Sequence, residues 1–297
     1  MHLTEFQYHK PKTIEEACRL LELKEKAAVL AGGTDVLVEI KKGLRQNNDL
    51  VSLSALDELK EISKDESNLY IGAGATHNAV KNSPLIKNKF QSISEAASLI
   101  GTEQIRNTGT IGGNLCTGAS CCDMAPVLIA YNANIELVSL KGKRTVALKD
   151  FFRFHKETLI EKGEIMIKVI VPVPGKGVGI RFEKFGLRES ASISVASASA
   201  FVKVEDGKCV DSRIVIGAVA PIPMISEKAS KVLNGTKVTE LSEGSSVLKE
   251  VGEAAAVDSL PLDDIRGTAD FRKDIIIILI QRAVLKAVKR AINLKKL

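Results

Sequence analysis

Gln104-Ile105-Arg106-Asn107-Thr108-Gly109-Thr110-Ile111-Gly112-Gly113-Asn114 decides the reading of this chain, because far upstream Val29-Leu30-Ala31-Gly32-Gly33-Thr34-Asp35-Val36 carries a second Gly-Gly pair in similar company. Backbone N–H groups exposed in a tight turn can cradle a diphosphate without help from any basic side chain. Glycine permits positive φ in such a turn and lets the main chain approach a ligand closely. One Gly-Gly pair flanked by Thr, Asp or Asn, taken alone, reads first as a plain β-turn. Two of them point to a single diphosphate shared between the loops. The first loop follows the apolar run Ala27 to Leu30 and the second the alternation Thr108 to Ile111, which predicts that both turns lie at strand ends.

Around these loops the chain alternates strands and helices. Glu5 to His9, Ala27 to Ala31 and Asp49 to Ser52 read as strands, separated by helices at Thr13 to Lys24, with Thr13 as N-cap, and at Asp35 to Lys41. Lys60 to Ala73 reads as a strand pair broken by the turn residues Lys64 to Asn68. Short helices are predicted at Asn78 to Lys81 and Met124 to Ala130, with one longer helix at Ile86 to Gly101. From Ile135 to Val171 strands dominate, with Lys141-Gly142-Lys143 as a hairpin turn. The Pro/Gly-rich segment Val171 to Gly177 is the clearest domain boundary. Beyond it, strands at Gly179 to Phe185, Ser192 to Val204 and Ser212 to Gly217 precede helices at Ile225 to Leu233, Leu241 to Ala256 and Thr268 to Ile292.

A length of 297 residues, 45% hydrophobic and 26% charged, suits a globular chain with a substantial core and argues against disorder. With no Trp and only 4% aromatic residues, aliphatic packing must build that core. The formal charge of +6 is spread over interleaved acidic and basic residues, except for Arg282, Lys286, Lys289, Arg290, Lys295 and Lys296 near the end. Basic residues complement a helix C-terminus, so this tract reads as a solvated helix face and not as a nucleic-acid or membrane surface. Met1 to Lys10 is polar and mixed, unlike a secretory signal, and the apolar run Ile275 to Ile280 falls far short of the roughly 20 residues of a membrane span. Five cysteines, two of them adjacent, fit a reducing compartment, and a soluble cytoplasmic protein is expected.

Several chemistries lose support at once. Gly72-Ala73-Gly74-Ala75-Thr76-His77 offers only two glycines of the nicotinamide-dinucleotide fingerprint, and no Walker A sequence is present. His2, His9, His77 and His155 sit in unrelated contexts without zinc-ligand or triad spacing, which favours surface or turn roles. Cys116, Cys121 and Cys122 follow the second loop directly. They read either as small, partly buried thiols or as part of an iron–sulfur or redox-responsive site, in which Cys18 or Cys209 would supply a fourth cluster ligand.

The loops, together with Asp123-Met124-Ala125-Pro126, Asp150-Phe151-Phe152, Gly163-Glu164-Ile165-Met166, Phe182-Glu183-Lys184, Phe271-Arg272 and Arg282-Ala283, resemble the FAD-binding medium subunit of the molybdenum hydroxylases over almost the whole chain. That group includes bacterial xanthine dehydrogenases, carbon monoxide dehydrogenase and nicotinate dehydrogenase. The resemblance implies an α+β fold of the vanillyl-alcohol-oxidase (PCMH) type. Residues 1–55 and 56–174 would be two FAD-binding subdomains, and 178–297 a smaller C-terminal domain with a three-stranded antiparallel sheet and helices. It further implies non-covalent FAD held at its diphosphate by Val29, Leu30, Ala31, Gly32, Gly33, Thr34, Asp35 and Val36 and by Thr110, Ile111, Gly112, Gly113 and Asn114. Asp123 would bond ribityl or ribose hydroxyls, Ile100 lie near the adenine, Met166 touch the flavin and Lys184 stand at the isoalloxazine edge. Taken singly, Asp123 reads as a helix cap, Met166 as strand core and Lys184 as a solvated charge.

Two departures from that pattern stand out. The first loop has no histidine for a covalent flavin link, and Arg153-Phe154-His155 replaces a small glycine-containing turn. By resemblance the chain is an oxidoreductase subunit with no catalytic acid–base residue of its own. Electrons would arrive from [2Fe–2S] clusters on a small partner subunit, after oxidation at molybdopterin on a large one, and leave for NAD or another acceptor. A stand-alone flavin oxidase or reductase, or a flavin-free scaffold subunit, are the alternatives.

Overall fold

Three β-sheets and a separate two-stranded hairpin organise the computed structural model, which describes residues 5–293. His2, Lys295 and Lys296 lie outside the described residues. The first sheet is parallel, with Asp49–Ser52 between Gln7–His9 and Ala27–Leu30. Helices Ile14–Leu23 and Val36–Lys41 connect its strands. Thr13 caps the former by accepting a hydrogen bond from the Glu16 N–H at 3.1 Å, an arrangement that contributes about 1 kcal/mol to such helices.

The second sheet is antiparallel, in the order Ile62–Lys64, Asn68–Gly72, Ile165–Pro172, Asn134–Ser139, Gly142–Ala147. One face packs against a row of short helices, and the largest core forms there around Leu69, Ile71, Phe90, Ile93, Ile111, Leu115, Leu128 and Val169. The single helix expected from Ile86 to Gly101 is two, Pro84–Lys89 and Gln91–Ser98. Phe90 leaves helical geometry between them (ψ 37°) and is fully buried against Tyr131, ring centroids 5.7 Å apart. Burial of that ring outweighs the continuity of the helix.

The third sheet is antiparallel: Val178–Gly186, Ser194–Glu205, Lys208–Gly217 and the two-residue strand Met224–Ile225. Three long strands thus match the expected C-terminal sheet, and a short fourth extends it. Asp206 (φ 46°) and Gly207 (φ 73°) form the tight turn of its central hairpin. Alternate residues of the central strand face opposite ways. Ala196, Ala198, Ala200 and Val202 meet the helices Glu227–Leu233, Ser246–Asp258 and Ala269–Asn293, whereas Phe201 joins the core of the second sheet. Small residues allow close contact: a Cβ at Gly179 would stand 1.9 Å from the Ala287 carbonyl oxygen of the last helix. Among the described residues no helix is long and apolar enough to cross a membrane.

Candidate functional site

The first glycine loop runs from the end of the strand Ala27–Leu30 into the helix Val36–Lys41. Gly33 turns it with φ 71°, and a Cβ there would meet the Leu37 and Leu30 side chains at 2.9 and 3.2 Å. Glycine at 33 therefore serves the backbone and two leucines. Gly32 has a different neighbour. A Cβ on it would stand 2.1 Å from the Thr108 carbonyl oxygen and 2.8 Å from Gly109 Cα, so the two loops lie in direct backbone contact. Thr117 strengthens the junction by donating its hydroxyl to Asp35 Oδ2 at 3.2 Å.

The second loop does not end a strand. Glu103–Thr108 is a helix capped by Thr102, and Thr110 caps the helix Ile111–Cys116 by accepting from the Gly113 N–H at 3.1 Å. Two threonine caps, the second holding its helix despite Gly112 and Gly113, override the apparent alternation. Thr110 also faces Thr76 across an isolated bridge, with the His77 N–H donating to Gly109 O and the Ile111 N–H to Ala75 O, each at 3.0 Å.

The donors of the two loops are consequently unequal. In the second, the Gly112 N–H binds Ala73 O at 2.8 Å, that of Asn114 binds Thr110 O at 2.9 Å, and those of Ile111 and Gly113 are committed as above. A Cβ at Gly112 would collide with Ala73 at 2.7 Å, so protein packing by itself already requires glycine there. In the first loop, among the described residues, the N–H groups of Gly32, Gly33, Thr34 and Asp35 have no acceptor within the protein. Solvent or a ligand must satisfy them. Among the described residues the first loop thus presents four bare N–H groups, while the second presents that of Thr110, bonds its other N–H groups within the protein and braces the first loop. The residues fit a diphosphate, with bare N–H groups at the first loop and the Thr34 hydroxyl beside it.

Val29 is exposed and Leu30 and Ala31 half-buried, whereas Val36, Ile100, Ile111, Gly112 and Met166 are enclosed. Met166 belongs to the same core as Ile111 and Leu115, which agrees with its reading as strand core.

Asp123 and Lys184 meet. Lys184 Nζ is 2.6 Å from Asp123 Oδ2 and also donates to Leu99 O at 3.1 Å, while Ser194 donates to Asp123 Oδ1 at 2.5 Å. Burial pushes the Asp123 carboxyl up, opposed by the Lys184 charge and by hydrogen bonds from Lys184 and Ser194. The helix-cap reading of Asp123 fails, because its side chain caps nothing, and the solvated reading of Lys184 fails with its side chain 8% exposed. Leu99, Lys184, Phe185, Gly186, Arg188 and Ser192 line an adjoining cleft of about 220 Å³.

Sequence reasoning missed His77, Thr117 and Ser194, whose roles arise only from long-range packing. Against the surface or turn role its sequence context favours, His77 opens the helix His77–Asn82 and is 2% exposed. Burial first, and the Arg106 charge second, hold its pKa down to about 4. The cysteines separate. Cys18 and Cys209 lie in two other cores, away from the largest core that holds Cys122 and is flanked by Cys116. Burial pushes the Cys116 thiol up to about 12 and the Cys122 thiol higher still. Among the described residues no group of His, Cys, Asp and Glu is arranged to hold a metal ion.

Known proteins share this architecture throughout. The family model described as the FAD binding domain in molybdopterin dehydrogenase matches residues 4–174, and that of the CO dehydrogenase flavoprotein C-terminal domain matches 182–287. The carbon monoxide dehydrogenase medium chain of Afipia carboxidovorans is 35% identical over 97% of this chain and 98% of its own. The nicotinate dehydrogenase FAD-subunit of Eubacterium barkeri is 34% identical over 80% and 82%. A crystal structure of carbon monoxide dehydrogenase from Hydrogenophaga pseudoflava, in a form lacking the Mo-pyranopterin moiety of the molybdenum cofactor, superposes with a TM-score of 0.93 at 31% identity, covering 98% of this chain and 99% of that one. With the glycine loop, its brace and the three-sheet architecture all in place, the chain belongs to the FAD-binding medium subunits of the molybdenum hydroxylase family of oxidoreductases.

Proposed function

We propose that this chain is the electron-relay subunit of a multi-subunit molybdenum hydroxylase. It receives electrons from [2Fe–2S] clusters on a small partner subunit, downstream of molybdopterin on a large one, and delivers them to NAD or another acceptor. The observation that carries this reading is the row of unsatisfied N–H groups from Gly32 to Asp35, closed from behind by the Gly32–Thr108 contact. Support for a subunit over a stand-alone flavin enzyme comes from relatives named medium chain or FAD-subunit that match along most of their length.

Each residue has a distinct task in this reading. Gly32, Gly33, Thr34 and Asp35 hold the diphosphate of non-covalent FAD, flanked by Val29, Leu30, Ala31 and Val36. Thr110, Ile111, Gly112, Gly113 and Asn114 close the diphosphate from the second loop and hold the first in place, and Met166 is the apolar flavin contact at the edge of the core. Ile100 borders the adenine end. The Asp123–Lys184 pair, fixed by Ser194, sets the charge beside the ring system. Bound FAD supplies the ability to take up electrons singly and release them in pairs. No proton-transfer residue is required of this chain. Residues 1–55 and 56–174 are proposed as the two cofactor-binding subdomains and 178–297 as the C-terminal domain.

The test is purification of the native assembly, followed by dithionite reduction and rapid mixing with NAD⁺ or a quinone. One FAD per copy of this chain, reoxidised by one of these acceptors, is expected. A flavin-free chain, or one that purifies as an active enzyme without partner subunits, would overturn the reading.

A further inference from the structure

Three buried polar atoms beside the loop junction, His77 Nδ1, Asn78 Oδ1 and Arg106 Nε, are left without a protein partner, and the imidazole is the one that borders the first loop. His77 is fixed through its main chain, its N–H donating to Gly109 O at 3.0 Å, and the capping hydroxyl of Thr76 holds the turn by accepting from the Ala79 N–H at 3.1 Å. The imidazole is 2% exposed, and its Nδ1 is enclosed without a hydrogen-bond partner. A buried ring nitrogen in that state is costly unless something else satisfies the ring.

Its surroundings indicate what that partner is. A Cβ built on Gly109 would lie 3.4 Å from His77 Cδ2 and 3.5 Å from Thr34 Oγ1, so the imidazole edge and the Thr34 hydroxyl border the same spot. Gly109 is also the residue against which Gly32 packs. The ring therefore sits at the seam of the two loops, beside the bare N–H row. Turning the ring over about Cβ–Cγ exchanges Cδ2 and Nδ1, so in either orientation a nitrogen lies on or next to the edge that faces the seam.

The charges around it suit an anion. Arg106 is near enough for its charge to act on the imidazole, with one guanidinium nitrogen donating to the Ile100 and Gly101 carbonyls at 2.8 and 3.2 Å and another to Glu103 at 2.7 Å. No carboxylate is bonded to His77 among the described residues.

We propose that His77 is a further cofactor-binding residue, whose imidazole donates a ring N–H to the diphosphate of the dinucleotide held by Gly32 to Asp35. The inference rests on the FAD reading above. A neutral imidazole has one N–H to give, and burial keeps this one neutral at physiological pH. Donation to the diphosphate would satisfy one ring nitrogen, Nδ1 itself in the turned-over orientation, and add a side-chain donor to a cradle otherwise made of main chain.

The test uses the full chain, stripped of flavin and labelled with ¹⁵N-histidine. FAD, ADP and riboflavin are titrated in turn while the imidazole resonances are followed, the His77 signal being assigned by its loss in His77→Phe. FAD and ADP, which carry a diphosphate, are expected to shift the His77 ring nitrogens; riboflavin, which carries none, is expected to leave them in place. His77→Phe should weaken FAD binding at least tenfold, and His77→Gln, which keeps an N–H donor, should recover part of the loss. If FAD binds while the His77 resonances stay unmoved and both variants bind it like wild type, this inference falls and the FAD reading stands. If FAD does not bind the wild-type chain, both fall.

Discussion

Lys184 Nζ stands 2.6 Å from Asp123 Oδ2, and each side chain is 8% exposed. The contact joins the first strand of the third sheet to the segment that enters the helix Met124–Ala130, so one charge pair links the two family-matched regions. Neither residue can be removed alone without leaving the other buried and uncompensated.

Lys184→Met is accordingly expected to destabilise the apo chain by about 3 kcal/mol, and addition of Asp123→Asn to restore most of that loss. Urea unfolding of the two single variants and the double variant measures the coupling; simple additivity would refute it.

With FAD bound, the same variants should move the flavin potential in opposite directions. Loss of the lysine removes a cation that stabilises the electron-rich ring and lowers the potential, whereas Asp123→Asn removes an opposing anion and raises it. Spectroelectrochemical titration reads both, and shifts of the same sign in the two variants would exclude the charge pair from this role.

Gly32→Ala should abolish FAD retention, because its Cβ would stand 2.1 Å from a main-chain carbonyl that no side-chain rotation can relieve. Gly33→Ala is expected to be milder: positive φ costs it about 1 kcal/mol, and its close contacts are ends of leucine side chains. Flavin content after gel filtration compares them, and equal retention would contradict the importance of the Gly32–Thr108 contact. Gly33→Val, an obvious choice from sequence, reports strain against Leu30 and Leu37 and does not locate the diphosphate.

His77 gives the apo chain a defined acid sensitivity. Its pKa falls from 6.5 to about 4 on folding, under burial and the nearby Arg106, whose charge is shared with Glu103 and through it with Lys81. The unfolded chain thus binds more protons between these values, and stability must fall as pH drops through that window. The loss between pH 7 and pH 5 amounts to about 2 kcal/mol. His77→Phe should flatten this part of the stability profile, and an unchanged slope would mean that His77 does not titrate in this way.

Much of this was legible in the sequence because it is local. The Thr13 cap, the short helix Met124–Ala130 and the three long C-terminal strands rest on residues a few positions apart. The blocks holding Asp123 and Lys184 were recognisable as a pattern, but their mutual bond was not, since 61 positions separate them. The second loop misled for a physical reason: threonine at 108 and 110 reads as a strand, yet Thr110 acts as a helix cap. Glycine likewise carries one letter for two purposes. Gly32 and Gly112 both permit close approach, and in each case the partner is protein backbone. His77 left no signal, because its burial beneath Gly109 depends on the whole fold.

Cys116 and Cys122 should resist iodoacetamide in the native chain at pH 8, since burial raises both thiols far above that pH. Mass-spectrometric mapping will show modification only after unfolding, and anaerobic treatment with iron and sulfide should leave no cluster. Rapid native alkylation or a bound cluster would revive the metal-ligand reading of these cysteines.

Arg272 is 3% exposed and donates to the Val195 and Ala218 carbonyls at 3.2 Å while pairing with Asp264. Arg272→Ala strands those acceptors and should cost about 3–5 kcal/mol. Arg272→Lys cannot reproduce the planar fork and should recover less than half, as read by thermal unfolding. Full recovery by lysine would reduce the role to charge alone.

Residue-resolved amide hydrogen exchange on the full chain, with and without FAD, reads the asymmetry between the two glycine loops directly. FAD is predicted to slow exchange strongly at Gly32, Gly33, Thr34 and Asp35 and to leave Ile111, Gly112, Gly113 and Asn114 nearly unchanged, since their N–H groups are already bonded within the protein. Strong new protection at Ile111 to Asn114 with none at Gly32 to Asp35 would contradict it.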